Sequence, residues 1–341
     1  MKKKIFYCGV AAVLIASVFW LVNHAFQSNA LDADPSPIQI DYHRITPTSI
    51  AKQKTALKDL VTTNPEVSSY LLEFCYGLDL SSDSTYQKGI TDFASQAYIK
   101  RTEKVLKESF GDLSRHEQII SSAFARLHFH FKNLEIPKDI IFANSNFNYN
   151  ATCYKNSILV GLERYMGGEN PVIIETLNPT DFPEWIRKGM NEEFMDRDVL
   201  SSWISTLLVP ETNRYHIEEM IRWGKVHLIT EMSLRIENKE IQTEMILRWT
   251  KKQYEWAKTN EGKFWKYLMD EELLYDGNEK NRAFLINNGP YTIGLPEESP
   301  DRMGQYLGYT MVKDYVFNEG IALETLPSID YRKILKSYNP N

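Results

Sequence analysis

Apolar residues recur with helical spacing through most of this chain, and this periodicity restricts the fold more than any other feature. No unit of 20–50 residues repeats, so a solenoid is not expected. A mostly α-helical body is predicted instead. The predicted helices cover residues 65–80, 83–110, 114–134, 183–190, 192–208, 216–233, 240–258, 261–274 and 302–318.

Two short runs interrupt the helical pattern in the middle of the chain. Residues 139–143 and 157–162 are apolar or β-branched, and the Asn-rich stretch 144–150 separates them. Such runs bounded by turn residues predict a hairpin or a small mixed sheet. The expected fold class is therefore mostly α with a small central β element (α+β).

The N-terminus predicts export. Three lysines at positions 2–4 precede an uncharged run at 5–22, whose 18 residues would form a helix of about 27 Å, close to the bilayer hydrocarbon thickness. The lysines are expected to stay in the cytoplasm. Either Ser28-Asn29-Ala30 directs cleavage before Leu31, or the run remains as an anchor, which its length favours.

The predicted organisation has three parts. Residues 1–30 form a signal or transmembrane anchor, residues 31–49 an Asp-, Pro- and Ser-rich linker, and residues 50–341 a single domain. The expected location is the cell envelope, with a periplasmic domain held at the inner membrane or exported after cleavage. In that compartment Cys75 and Cys153 either pair or stay as free thiols.

Composition excludes one class of partner. Hydrophobic residues at 43% and charged residues at 25% are typical of a packed globular body. The net charge of −6 already includes the three N-terminal lysines, so the exported part is more acidic still. Nucleic acid is not expected as a partner, because phosphate binding requires a basic surface.

The sequence contains no recognisable catalytic motif. The nearest approach to the zinc motif His-Glu-x-x-His begins at His116, where Ile120 replaces the second histidine, and Ser114 and Glu117 predict a helix-capping box there instead. His216 and His227 share a helix face but lie about 16 Å apart along it, and His227 is predicted to be a hydrogen-bonded core residue. The acidic residues 192, 193, 196 and 198 are interpreted as complementing a helix dipole.

No Gly-x-Ser-x-Gly, P-loop or Cys-x-x-Cys pattern is present. We therefore expect no catalytic residue, no metal site, no cofactor and no identified small-molecule substrate.

The stretch 288–318 is the most informative part of the chain. Glycines and prolines at 289–290 and 294–296 predict a rigid loop, after which Ser299 is expected to cap a helix with Pro300 in its first turn. Gly304 and Gly308 are four residues apart in that helix. Each glycine costs about 1 kcal/mol of helix propensity, so close approach of another element is expected.

At these residues the chain resembles the gliding-motility lipoprotein family GldB. Residues 289–302 resemble the family loop GPFTxGFPxESPGR, and residues 304–315 resemble GxWIGWQIVxxY. Residues 158–171 and 220–234 resemble two further family segments, in the same order. The chain departs from the family at Tyr306 and Tyr309, where the pattern has Trp, at Thr310 and Asp301, and in lacking the lipid-attachment cysteine.

The resemblance implies a function. It connects the chain with surface gliding or protein secretion in Bacteroidetes-like bacteria and with envelope protein partners. The architecture is also similar to predicted zinc-dependent proteases, so a degenerate zincin-like scaffold is expected, a pseudoenzyme in which Asp198 and Trp223 stand near positions where those proteins have zinc ligands. The interaction candidates are Gly289, Pro290, Gly294, Pro296, Ser299, Pro300, Arg302, Gly304, Tyr306, Gly308 and Tyr309.

The function expected is that of a non-catalytic envelope accessory protein held to the membrane through residues 5–22. Two alternatives stay open at this point. One is a periplasmic hydrolase that uses unrecognised, metal-independent residues, and the other is a general binding or chaperone-like module.

Overall fold

A computed structural model describes residues 35–52, 65–211, 215–234 and 243–340. The predicted anchor at 1–30 lies outside these ranges, and within them no helix is both long and apolar enough to cross a bilayer. Cys75 and Cys153 are both free thiols.

Four short strands form one mixed sheet. They are β1 (Asp41–Ile45), β2 (Asp139–Ala143), β3 (Ala151–Tyr154) and β4 (Ser157–Gly161). The spatial order is β1-β2-β4-β3, with β1 and β4 parallel to β2 and with β3 antiparallel to β4. Every residue of β2 and β4 is buried, which explains their uninterrupted apolar runs.

Helices make up most of the remaining described chain, which confirms the predicted fold class. They are α1 (Pro47–Lys52), α2 (Pro65–Ser69, continued by a π-helical segment Tyr70–Cys75), α3 (Asp83–Ser95), α4 (Ala97–Ser109), α5 (Ser114–His130), α6 (Pro171–Thr176), α7 (Glu184–Arg187), α8 (Met195–Trp203, continued by a π-helical segment Ile204–Leu208), α9 (His216–Leu234), α10 (Thr243–Leu247), α11 (Lys251–Asp270), α12 (Glu279–Ile286), α13 (Met303–Glu319) and α14 (Tyr331–Ser337). Short 3-10 helices cover Leu162–Tyr165, Glu192–Phe194 and Leu323–Ser328.

The sheet separates two hydrophobic cores because alternate side chains of a strand point to opposite faces. Ile140 and Ile158 face the larger core, which α5, α8, α9, α11 and α13 complete. Ile141 and Leu159 face the smaller core, formed with α1, α2 and α3. The larger core positions the residues discussed below.

The linker prediction for residues 31–49 is wrong in its second half. β1 lies inside that segment and pairs with β2 along its whole length, from Asp41 opposite Asp139 to Ile45 opposite Ala143. The alternation of apolar and polar residues that predicts a strand is weak here, because β1 lies at the edge of the sheet and only its Ile45 is buried.

Several helix boundaries also differ from prediction, two of them by a break inside a predicted helix. The helix predicted over 83–110 is broken at Gln96, whose extended backbone (ψ 139°) separates α3 from α4. The helix predicted over 240–258 ends early, and α11 begins after Thr250, which forms a capping box with Gln253.

The capping box predicted at Ser114 and Glu117 is wrong, because Ser114 itself donates its backbone N–H to Asp112 over 2.9 Å.

Candidate functional site

Helices α9 and α13 cross at their glycines. A Cβ atom built on Gly308 would lie 1.8 Å from the carbonyl oxygen of Met220, and one built on Gly224 would lie 2.2 Å from the carbonyl oxygen of Gly308. A Cβ atom built on Gly304 would lie 2.9 Å from the carbonyl oxygen of Leu285 in α12, a less severe overlap. The glycine pair in α13 therefore serves close approach of neighbouring helices, as predicted.

The N-terminus of α13 is capped by a different residue from the one predicted. Ser299 and Pro300 lie before the helix, which begins at Met303 after Arg302 in the left-handed region (φ 57°). Thr292 takes the capping role, since its hydroxyl accepts the N–H of Met303 over 3.1 Å. The sequence could not show this, because Thr292 is eleven residues away from the helix start.

Asp301 fixes the base of the loop. Its carboxylate accepts the N–H of Gly289 over 3.2 Å and the indole N–H of Trp249 over 3.0 Å, and it pairs with the guanidinium of Arg302 over 2.8 Å. These donors come from three separate chain segments. The loop is thereby held at both ends against the core.

The predicted interaction residues divide into a buried set and an exposed set. The turn that we call the loop tip, residues 293–298, is mostly exposed and presents Ile293 at 48% exposure beside the carboxylates of Glu297 and Glu298. Gly294 (φ 93°) lies against the hydroxyl of Tyr267, which supports the tip from below. Pro290, Gly294 and Pro296 are exposed and Gly289 is partly exposed, while the buried candidates are Ser299, Pro300, Arg302, Gly304, Tyr306, Gly308 and Tyr309.

A buried polar network fills the contact between α8 and α9. The carboxylate of Asp198 receives Arg197 over 2.7 Å, Arg248 at 3.4 Å and the hydroxyl of Tyr165 over 3.0 Å. The guanidinium groups of Arg248 and Arg197 lower the pKa of Asp198, although burial acts in the opposite direction. The carboxylate is therefore charged and fully partnered.

His227 continues this network toward α13. Its Nε2 lies 2.8 Å from the amide oxygen of Gln305, and its Nδ1 lies 3.5 Å from a guanidinium nitrogen of Arg197. Gln305 donates its own N–H to the carbonyl of Ile286 over 2.7 Å, so its amide oxygen is the atom that faces the ring. Burial and the charge of Arg197 lower the pKa of His227, which leaves a neutral ring with the proton on Nε2.

Comparison with known protein families gives a match that covers most of the chain. The model of the family described as gliding motility protein GldB matches residues 27–340. The chain belongs to the GldB family. No curated protein and no solved structure matches it. Membership connects the chain with gliding motility and with the cell envelope.

The departures from the GldB pattern have structural partners. Tyr306 donates its hydroxyl to the buried carboxylate of Glu261 over 2.7 Å, and Tyr338 donates to the other oxygen over 2.8 Å. Tyr309 donates to Glu231, which also receives the ammonium of Lys313 at 3.2 Å. A tryptophan at either position would lack the hydroxyl that these buried glutamates bind. Of the other two departures, Thr310 donates its hydroxyl to the carbonyl oxygen of Tyr306 over 3.2 Å, and Asp301 holds the loop as described above.

The acidic residues at the start of α8 do more than complement the helix dipole. His116 lies between two of them, with Nδ1 2.8 Å from Asp196 and Nε2 3.1 Å from Glu192. Burial alone would lower the pKa of His116, but the two carboxylates reverse the effect and raise it. Because the carboxylates bind opposite nitrogens of one ring, they do not converge on a single point.

Other histidines of the described ranges also have partners in the folded chain. His216 is fully buried and contacts the carbonyl oxygen of Asn278 at 3.0 Å, while His227 is the hydrogen-bonded core residue predicted from sequence. His130 approaches Glu324 at 3.7 Å. Over the described ranges, no group of three or more His, Cys, Asp or Glu side chains is placed to hold one metal ion.

Sequence reasoning missed the residues that assemble the network. Arg197, Arg248 and Gln305 were not singled out, nor was Glu163, which is fully buried and accepts N–H groups from Ser145 over 3.0 Å. The available signal was a charged or amide residue within an otherwise apolar helical stripe. Such a residue is expected to be buried, but the sequence does not show which residue it pairs with, because the partner lies 30–80 residues away in most cases.

Proposed function

We propose that this GldB-family protein is a non-catalytic accessory protein of the cell envelope that supports gliding motility or protein secretion through contact with envelope partners. One observation carries the proposal. The polar side chains at the α8–α9 contact are paired with each other, Asp198 with two arginines and a tyrosine and His227 with Gln305. Groups bound in this way stabilise the fold and are not poised to attack a substrate.

The loop tip is the proposed contact surface. It is a rigid exposed turn, held by Asp301 and Thr292 at its base and by Tyr267 beneath Gly294. Ile293 presents an apolar side chain there beside two carboxylates. A preorganised turn with an exposed apolar residue loses little conformational entropy on binding.

We further propose that residues 5–22 keep the domain at the inner membrane. The run is long enough to span the bilayer, and the three lysines before it favour a cytoplasmic N-terminus. Fractionation of the host envelope tests this, because a cleaved and exported chain would leave the membrane fraction.

Deletion of the gene in a gliding host, followed by complementation, tests the function. We expect deletion to reduce colony spreading or the amount of secreted surface protein, and the wild-type chain to restore it. A chain carrying Ile293→Ser with Glu297→Ala should fold normally but restore spreading poorly. Ile174→Ser is the matched control, since Ile174 is an equally exposed isoleucine (45%) on α6.

The results separate the two parts of the proposal. A deletion strain that spreads and secretes normally would remove the motility role. Full complementation by the loop-tip variant would place the contact surface elsewhere.

A further inference from the structure

A pocket of about 370 Å³ opens beside α9, at a place that neither the loop nor the polar network uses. Its walls come from α9, from the chain after α8 and from the start of α14. The wall is mixed: Leu208, Val209, Ile221, Pro327 and Tyr331 give apolar surface, and Glu218, Arg222, Lys225, Asp330 and Arg332 give charged groups. A concavity of this size has room for a small molecule, and its charged groups would select a polar one.

Lys225 is one of the charged residues in the wall. Its side chain is 7% exposed, and its Nζ donates to the carbonyl oxygen of Ile329 over 2.6 Å and to that of Pro327 over 3.2 Å. A neutral amine has two N–H donors and one lone pair. Both hydrogen bonds therefore survive loss of the third proton, and the lone pair is left on a side of the nitrogen that the two carbonyls do not occupy.

The surroundings make the neutral amine more accessible than it is in an exposed lysine. Burial lowers the pKa of Lys225 to about 8, and the more distant charges of Asp330 and Glu218 offset part of that effect. The cations that also line the pocket are Arg222, which is paired with Glu219, and Arg332, which is paired with Asp330. No carboxylate forms an ion pair with Lys225 among the described residues.

Glu218 provides a carboxylate in the same pocket. One of its carboxylate oxygens, Oε2, is buried and has no hydrogen-bond partner among the described residues. An unpartnered buried carboxylate oxygen is costly, and a ligand or water donor in the pocket would satisfy it. It stands one helical repeat, seven residues, before Lys225 on α9.

We propose that this pocket binds small aldehydes or ketones and that Lys225 holds them as a reversible imine. The lone pair of Nζ forms a C–N bond to the carbonyl carbon while the C=O π pair moves to oxygen. A proton passes from nitrogen to that oxygen, and the carbinolamine then loses water as the C=N bond forms. Solvent in the open pocket exchanges these protons, and the only by-product is one water molecule.

Site-resolved reductive methylation of the full-length protein tests the proposal. Formaldehyde with cyanoborohydride traps the imine, and peptide mass spectrometry reports the rate at each lysine. At pH 7.5 we expect Lys225 to react at least about fivefold faster than exposed lysines such as Lys104, because ordinary lysines have a pKa near 10.4. Lys313 is the partly buried control, since its ammonium binds Glu231.

The pH profile gives the sharper result. The Lys225 rate should level off above about pH 8.5, whereas exposed lysines should still gain about tenfold per pH unit. Glu218→Gln should move this plateau to lower pH, because the Glu218 carboxylate raises the pKa of Lys225. Glu255→Gln, an exposed change on α11, should leave it in place.

Two results would overturn the proposal. Lys225 could stay unlabelled in the folded protein and react only after denaturation, which would show that the pocket does not admit a carbonyl compound. Its rate could also rise in parallel with the exposed lysines, which would show that its amine is not neutral near pH 8.

Discussion

His116 shows how a single residue can combine charge, burial and position. The His116 ring joins α5 to the start of α8 through its contacts with Glu192 and Asp196. Tyr42 and Arg115 also lie close enough to interact electrostatically with Asp196. The two carboxylates raise the pKa of His116, and burial raises the pKa of Asp196. Both groups therefore bind protons more tightly in the folded than in the unfolded chain.

We expect His116→Gln to destabilise the fold in a pH-dependent way. The proton on His116 adds stability that is complete below about pH 6.5 and is lost as the pH rises through its raised folded pKa. At pH 6 the free energy of unfolding of the variant should be about 1–3 kcal/mol lower than that of the wild-type protein. The difference should shrink toward pH 9. Urea unfolding across this range measures it.

His43→Gln is the control for that experiment. His43 also contacts a carboxylate, Asp139 at 2.8 Å, but its side chain is 41% exposed. Exposed pairs contribute at most about 1 kcal/mol. If the two variants showed the same pH dependence, the buried position of His116 would not be the cause.

Tyr306→Phe tests a second residue-scale contact. Removing the hydroxyl leaves the buried carboxylate of Glu261 with Tyr338 as its remaining tyrosine donor. The unmet acceptor should cost about 1–3 kcal/mol in the free energy of unfolding. Tyr275→Phe, at a residue that is 57% exposed, should change stability by less than about 0.5 kcal/mol.

At the scale of elements, the crossing of α9 and α13 sets the position of the side chains and of the loop that these two helices carry. Gly224 and Gly308 bring the two backbones into direct contact, and the loop tip, Gln305 and the buried tyrosines all depend on that separation. Helices packed through larger side chains have axes 8–10 Å apart. A closer approach is possible only where side chains are absent.

Gly224→Ala should disrupt this crossing. The added Cβ would meet the Gly308 carbonyl at 2.2 Å, and backbone on both sides leaves it no room to move. We expect a loss of at least about 3 kcal/mol, at the upper end for overpacked cores, measured by thermal or urea unfolding. Gly89→Ala on α3 is the control, because its Cβ would meet only the Leu78 side chain at 3.3 Å.

A loss from Gly89→Ala as large as that from Gly224→Ala would contradict the explanation. Alanine has a better helix propensity than glycine by about 1 kcal/mol, so the control should be neutral or stabilising. The comparison thus separates helix propensity from helix contact.

At the scale of the whole molecule, the two faces of the sheet differ in what they support. The smaller core holds α1, α2 and α3, while the larger core carries the network, the glycine crossing and the loop. The segments that resemble GldB, between residues 158 and 315, belong mostly to the larger core. The exception is the side of β4 that faces the smaller core, with Leu159.

We expect the purified full-length protein to contain no stoichiometric zinc. A chelator should leave its unfolding temperature unchanged, because a structural zinc ion contributes directly to folding free energy. Elemental analysis and calorimetry check the two expectations. Stoichiometric zinc that is lost in His216→Ala or His227→Ala would support a hydrolase and reject the accessory role.

The sequence by itself determined the fold class, the strands β2 and β4, the core position of His227 and the GldB resemblance. These follow from local periodicity and short motifs, in which the signal and the structure it predicts occupy the same residues. The tertiary structure alone decided that Thr292 caps α13, that Arg248 pairs with Asp198, that Tyr309 binds Glu231 and that Lys225 lines a pocket. Each of these joins residues far apart in the chain, and their charge states depend on burial and partners that only the packed helices supply.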